Sequence, residues 1–354
     1  MSENLTSNLT STSSCINNTI AGYQMDLLPV FYSFICIFGF IGNSIVIAVL
    51  CLQKNLKTVA NIYMVNLATA DLLFLITLPF WATYYAFGLK WMFGTVMCKV
   101  SSSLLTLNLF ASIFFITCMS IDRYMAIVHP LRSQRRTLTQ ATIVAICVWA
   151  LAIMATLPTF HFRNTYYLEN LDVHACIMDY PKKNYSSWCV AMSLVKITFG
   201  FCMPVTVIVT CYLKIGLHFK NSKEPILNKQ SRDRVLKIVT AIVVCFLVCW
   251  LPFYVLTFLD VLTRMEVIKD CKTETLVEAA LPISICLAFS NSCINPLLYC
   301  FVGNQFRENF RHVISSIKLL QSTNSQHSSL RKGSDLREME SNGQGAIHQY
   351  DQIG

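Results

Sequence analysis

The hydrophobic positions of this chain come in long uninterrupted runs, not in the short alternations of a soluble fold. Seven stretches are free or nearly free of charge: residues 27–53, 58–89, 100–121, 137–162, 184–213, 238–259 and 279–306. A helix rises about 1.5 Å per residue, so roughly 20 apolar residues cross a ~30 Å hydrocarbon layer, and each run is long enough. Helices also satisfy every backbone polar group within the segment, which lipid demands. A membrane β-barrel would show alternating segments of about ten residues, and that pattern is absent. The pattern predicts an all-α membrane protein: a seven-transmembrane helix bundle over 26–302, after a polar tail over 1–25. Pro79, Pro158, Pro204, Pro252, Pro282 and Pro296 punctuate the spans. Each frees a carbonyl and kinks its helix.

Beyond the seventh run, Phe306 and Phe310 fall four apart and Val313 and Ile314 continue their face, with Arg307 and Arg311 opposed. Residues 303–316 therefore read as a short amphipathic eighth helix lying on the inner leaflet, in contact with membrane lipid. Residues 317–354 are poor in apolar side chains and rich in Ser, and are expected to form a disordered, phosphorylatable cytoplasmic tail.

Composition and charge add orientation. The chain is 54% hydrophobic and 13% charged, against about a quarter charged in soluble domains. Basic residues gather in alternate loops: Lys54 and Lys57, then Arg132, Arg135 and Arg136, then Lys214 to Lys237, then Arg307 and Arg311. The remaining loops mix signs, so the N-terminus is expected outside the plasma membrane and the C-terminus in the cytosol. No cleavable signal peptide is evident in the polar first residues. Sequons at Asn4, Asn8, Asn17 and Asn184 lie on the predicted outer side and are candidate glycosylation sites. The net charge of +9 is then a cytoplasmic feature and does not point to nucleic acid.

Of 16 cysteines, most lie within spans, where Cys acts as a small apolar residue. Cys15, Cys98, Cys176 and Cys271 occupy outward positions, and four cysteines allow three pairings. The expected pairs are Cys98–Cys176 and Cys15–Cys271. No Cys/His spacing suits a metal, and no nucleophile–base constellation suggests an enzyme.

Charges inside a span are expensive and therefore informative. Asp71 lies in the middle of span two, with Asn43, Asn108, Ser112, Asn291, Ser292 and Asn295 available on other spans. Such a set serves either a sodium-sized cation or water coupled to helix movement, or a hydrogen-bonded knot, and the two are compatible. Asp122-Arg123-Tyr124 closes span three with an acid–base pair that can open when helices separate. Cys249-Trp250-Leu251-Pro252-Phe253 sets a large indole beside a kink in span six, and Asn295-Pro296-Leu297-Leu298-Tyr299 closes span seven.

Together these strings, with Asn43, Leu67-Ala68, Trp149, Pro204 and Tyr212, resemble the rhodopsin-like G-protein-coupled receptors over nearly the whole chain. The resemblance implies a receptor in which Asp122, Arg123, Tyr124, Tyr212, Asn295, Pro296 and Tyr299 take part in activation. It also implies an outward pocket. Leu105 stands where an amine receptor needs a carboxylate, and Phe289 where an opsin needs its lysine. The expected pocket is aromatic and basic: Trp81, Tyr84 and Tyr85 on span two, Lys196 on span five, and Arg163 after span four, above a floor of Leu109, Trp250, Phe253 and Phe289. A lysine and an arginine over such a floor suit a carboxylate. Lys196 would alternatively snorkel to the headgroups. Asp260 and Glu278 suit a basic group farther out, so the ligand reads as a peptide with a free C-terminus.

Leu78-Pro79-Phe80-Trp81-Ala82-Thr83-Tyr84-Tyr85, Leu157-Pro158-Thr159-Phe160-His161-Phe162-Arg163 and Leu256-Thr257-Phe258-Leu259-Asp260 are similar to the angiotensin II receptors, more to their type-2 branch than their type-1 branch. That resemblance implies an angiotensin II-like peptide whose carboxylate meets Lys196 and Arg163, and a heterotrimeric G protein or another cytosolic effector as inner partner. Two positions depart from the type-2 pattern, which has Asp in place of Glu278 and His in place of Tyr254. The first rival is a receptor of this fold for another carboxylate-ended peptide, such as a kinin or chemokine. A transporter or channel would require inverted repeats, and none is visible.

Overall fold

The computed structural model describes residues 18–52, 58–169, 172–221 and 229–302. Its helices are α1 (Asn18–Leu52), α2 (Val59–Leu75), α3 (Leu78–Ala86), α4 (Gly94–Val128), α5 (Pro130–Gln134) and α6 (Leu138–Phe162). A hairpin of β1 (Arg163–Leu168) and β2 (Val173–Met178) follows, then α7 (Tyr185–Ile197), α8 (Met203–Asn221), α9 (Lys229–Arg264) and α10 (Cys271–Val302). Seven stretches are long and apolar enough to span a membrane: Met25–Cys51, Val59–Ala86, Gly94–Val128, Leu138–Phe162, Lys182–Asn221, Val239–Arg264 and Cys271–Leu298. The expected eighth helix and tail (303–354), the sequons Asn4, Asn8 and Asn17, and Cys15 lie outside the described residues. Helix α1 starts at Asn18, ahead of the expected tail boundary at 25.

The burial pattern is that of a protein solvated by lipid. Large apolar side chains such as Val30, Phe34, Ile146 and Val248 are exposed, whereas Asn43, Asp71, Ser112, Asn291 and Ser292 are buried between helices. Polar groups turned inward find partners that hydrocarbon does not provide. Span three (α4) sits centrally, packed against α2, α6, α8 and α9, and the ring closes where α10 meets α1.

Three of the prolines predicted to kink the spans have their freed carbonyls capped by a neighbouring span. Pro79 cannot donate to the Leu75 carbonyl, and span two breaks between α2 and α3. The Cys36 thiol of α1 lies 3.5 Å from that carbonyl. Pro296 cannot donate to the Ser292 carbonyl, which instead accepts from Asn43 Nδ2 at 2.8 Å. Pro204 likewise leaves the Gly200 carbonyl, which accepts from the Tyr254 hydroxyl at 3.0 Å.

One feature departs from a purely helical reading. The loop after span four is an antiparallel hairpin pairing Arg163 with Met178 through Leu168 with Val173. A disulfide joins Cys98, at the start of α4, to Cys176 on β2. The Trp91 amide donates to the His174 carbonyl at 2.7 Å, tying the loop before α4 to the same strand. The strand signal was missed because six residues carry little periodicity beside the runs that flank them.

Candidate functional site

The hairpin end of the bundle gathers most of the expected pocket residues. Arg163 leaves the end of α6 and begins β1. Its Nε donates to Ser102 Oγ at 2.8 Å, and its guanidinium lies 5.6 Å from the centre of the Trp81 ring. Burial pulls the Arg163 pKa down from its ordinary value, while the nearby Tyr84, Tyr85, Tyr180 and Tyr185 hydroxyls act in the opposite sense. Tyr180, two residues after β2, is pushed up to about 12, first by burial. Lys196 is half-buried near the end of α7, close enough to Arg163 for the two charges to repel. Neither cation forms an ion pair with an acid among the described residues.

The aromatic side of this region is a packed cluster. Trp81 and Trp91 lie 5.3 Å apart and Tyr84 and Tyr85 5.4 Å apart. Leu105 packs against the cluster as well. The indole N–H of Trp81 is buried without a hydrogen-bond partner among the described residues, as is that of Trp250. Phe289, expected on the floor, is wedged between Phe74 (4.7 Å) and Tyr32 (5.7 Å), as a core residue joining spans one, two and seven. Leu109 is buried beside Gly200. Trp250 lies 5.9 Å from Phe253 and 6.1 Å from Tyr254.

The acidic end differs from the expected open carboxylates. Asp260 is already paired: Arg264 Nε lies 2.8 Å from its Oδ2, one helical turn away. Glu278 lies within electrostatic range of Glu274, Arg264 and Asp260. Arg264 is a site residue the sequence reading passed over, although its i,i+4 spacing from Asp260 carried the signal. Cys271, at the start of α10, is disulfide-bonded, and its expected partner Cys15 lies outside the described residues. Asn184 is exposed at the start of α7.

Deeper in the bundle, Asp71 is fully buried. Its Oδ1 accepts from Asn108 Nδ2 at 2.9 Å and from Ser292 Oγ at 2.7 Å. Its Oδ2 accepts from Asn295 Nδ2 at 3.3 Å, and Asn108 Nδ2 also reaches Ser112 Oγ at 3.2 Å. Spans two, three and seven are tied through one carboxylate. Asn291, expected in this group, is not among the donors to Asp71. Its neighbour Ser292 takes that place, because one residue turns a helix by about 100° and Asn291 points elsewhere. The side-chain oxygens of Asn291 and Asn295 are buried without partners among the described residues.

At the opposite end, Asp122 is buried and bonded to the guanidinium of the adjacent Arg123. A second arginine, Arg136, reaches its Oδ1 at 3.2 Å. That contact was invisible in the sequence, since it depends on how α5 folds back under α4. Tyr124 meets His129 at 3.1 Å, and Tyr212 is placed beside Ser120 and Thr240. Pro296 is buried against α1; Tyr299 belongs to α10, with its side chain outside the described set.

A closed ring of seven spans, a hairpin clipped to span three, a buried acid at mid-depth and an arginine-bonded Asp122 at the far end define a multi-pass membrane receptor. Residues 42–299 match the 7 transmembrane receptor (rhodopsin family), and the chain belongs to that family. It is accordingly a receptor and not an enzyme. The chain is 47% identical to the type-2 angiotensin II receptor of Homo sapiens over 338 residues, 95% of this chain and 93% of that one. It is 48% identical to the type-2 angiotensin II receptor of Mus musculus over 318 residues, 90% of this chain and 87% of that one. Identity to the type-1 angiotensin II receptor of Bos taurus is 43% over 296 residues, 83% of this chain and 82% of that one.

Proposed function

We propose that this protein is a plasma-membrane receptor for angiotensin II, with its N-terminus outside and its C-terminus in the cytosol. The observation that carries the reading is that Arg163, seated over the Trp81 ring, and Lys196, within electrostatic range of it, form no ion pair with an acid among the described residues. Two like charges held close in a half-buried site favour an anion between them. The C-terminal carboxylate of a peptide supplies one, and the unpartnered indole N–H of Trp81 stands beside Arg163 as a further donor. Trp81, Tyr84 and Tyr85 would pack along the peptide, and Asp260 and Glu278, exchanging Arg264 for the ligand, would meet its basic end. The names of the type-2 and type-1 relatives support angiotensin II as the peptide.

Binding would shift an equilibrium between two helix packings. Trp250, Tyr212, Tyr299 and the Asp122–Arg123 pair would be the moving parts, and a G protein or other cytosolic effector would contact the basic segment over 220–237, which includes the first turns of α9. A sodium ion would sit beside Asp71, a role supported by the unpartnered side-chain oxygen of Asn295, whose amide donates to Asp71. Asn4, Asn8, Asn17 and Asn184 would carry glycans, and 303–316 would lie on the inner leaflet ahead of a cytoplasmic tail.

Saturation binding of labelled angiotensin II to membranes bearing this chain tests the reading. High-affinity binding that falls at least tenfold in both Lys196→Ala and Arg163→Ala is expected. Unchanged affinity in both variants refutes the pocket, and no binding by surface-exposed protein turns the search to other carboxylate-ended peptides.

A further inference from the structure

Span five is not a continuous α-helix. Between α7 and α8, Thr198–Cys202 form a π-helical turn, in which the Met203 amide reaches the Thr198 carbonyl. A π turn inserts one residue, so everything on its Lys196 side is rotated by about 100° relative to an unbroken α-helix. Lys196 lies two residues before this turn. The direction of its side chain therefore depends on the turn persisting.

Two local features bear on that turn. Pro204 has no N–H, so the Gly200 carbonyl four residues earlier loses its α-helical donor. The Tyr254 hydroxyl of span six donates to that carbonyl at 3.0 Å. The ring of Tyr254 is buried, stacked on Phe201 with centroids 4.6 Å apart. A side chain at position 200 would end this arrangement: an added Cβ would lie 2.7 Å from the Tyr254 hydroxyl oxygen and 3.1 Å from Leu109 Cδ2. Gly200, Pro204 and Tyr254 thus form one unit spanning two helices, and Tyr254 is also a neighbour of Trp250.

We propose that the hydroxyl of Tyr254, bonded to the Gly200 carbonyl, pins the π-helical turn of span five and so aims Lys196 at the carboxylate of the ligand. Tyr254 is on this account a positioning residue for carboxylate selectivity. The inference rests on the carboxylate-binding reading of Lys196 and extends it to the residue that orients the lysine.

The test is binding of angiotensin II and of its C-terminal amide to wild type, Lys196→Ala, Tyr254→Phe and the double variant. Tyr254→Phe keeps the stacked ring and removes only the donor. A hydrogen bond between packed membrane helices corresponds to about a three- to fifteen-fold change in an equilibrium constant. Tyr254→Phe is expected to weaken the acid by that factor and the amide by less than twofold, with the double variant no weaker than Lys196→Ala. Gly200→Ala, which drives the hydroxyl off the carbonyl from the other side, is expected to give the same selective loss. Equal weakening of acid and amide by Tyr254→Phe overturns the proposal, because that is what a packing role alone produces. So does a double variant whose loss is the product of the two single losses. If Lys196→Ala itself leaves the preference for the acid intact, the reading of Lys196 fails first and this inference falls with it.

Discussion

Replacing Gly42 by Ala tests how the first span is held against the seventh. A Cβ at position 42 would lie 2.9 Å from Pro296 Cβ and 3.0 Å from Pro296 Cγ. Carbon atoms pack best at about 3.5–4.0 Å, so a gap of roughly 0.6 Å has to open. The proline ring is rigid and sits in a kink, so α1 has to move as a body. The next residue, Asn43, donates to the Ser292 carbonyl that Pro296 leaves open, at 2.8 Å. A shift of about 0.6 Å along that direction takes the bond to roughly 3.4 Å, outside good geometry. Overpacking costs about 1–3 kcal/mol, and an interhelical hydrogen bond in a membrane protein is worth about 0.6–1.7 kcal/mol. Gly42→Ala should therefore destabilise the bundle by about 2–4 kcal/mol. The assay is the temperature at which half of the detergent-solubilised receptor still binds ligand, a kinetic measure suited to irreversible unfolding. Gly216→Ala is the control, because an added Cβ there meets nothing within 4 Å and helix propensity favours Ala by about 0.5–1 kcal/mol. A half-inactivation temperature for Gly42→Ala equal to wild type, or a fall as large in Gly216→Ala, refutes the reasoning.

Trp149 Nε1 donates to Asn66 Oδ1 at 2.9 Å, so Trp149→Phe should lower the same half-inactivation temperature by an amount equivalent to about 1 kcal/mol. Arg264→Ala frees Asp260 from a partly exposed pair worth about 0.3–1 kcal/mol. It should raise affinity for a peptide with a basic N-terminal end about two- to fivefold in competition binding, and a loss of affinity would mean that Arg264 itself holds the ligand. Loss of Cys98–Cys176, which closes 78 residues of sequence separation, should destabilise the receptor by about 2–5 kcal/mol and be visible as a lower half-inactivation temperature in the Cys98→Ala/Cys176→Ala double variant.

The seven spans were legible because lipid imposes one requirement on every segment that crosses it: enough consecutive apolar residues, with backbone bonds closed inside the helix. Asp71 stood out for the same reason, since a carboxylate among apolar neighbours needs partners, and span sequences offer few. Asp122 beside Arg123 needed only adjacency. The Arg264–Asp260 pair also left a signal in its one-turn spacing, but Asp260 was expected as an open carboxylate and the pairing emerged only from the folded chain.

What the folded chain alone decided is phase and partnership. Whether Ser292 or Asn291 faces Asp71 depends on about 100° of helix rotation in span seven, which composition does not fix. That Asn43, Tyr254 and Cys36 lie at the carbonyls released by Pro296, Pro204 and Pro79 requires helices remote in sequence to come within hydrogen-bond reach. The approach of Arg163 to Lys196 likewise joins a strand and a helix separated by the hairpin and the disulfide. The sequence by itself determined which segments enter the membrane, because solvation acts on each segment alone. Tertiary structure decided which side chains meet there, because a contact between helices depends on the rotation and spacing of both.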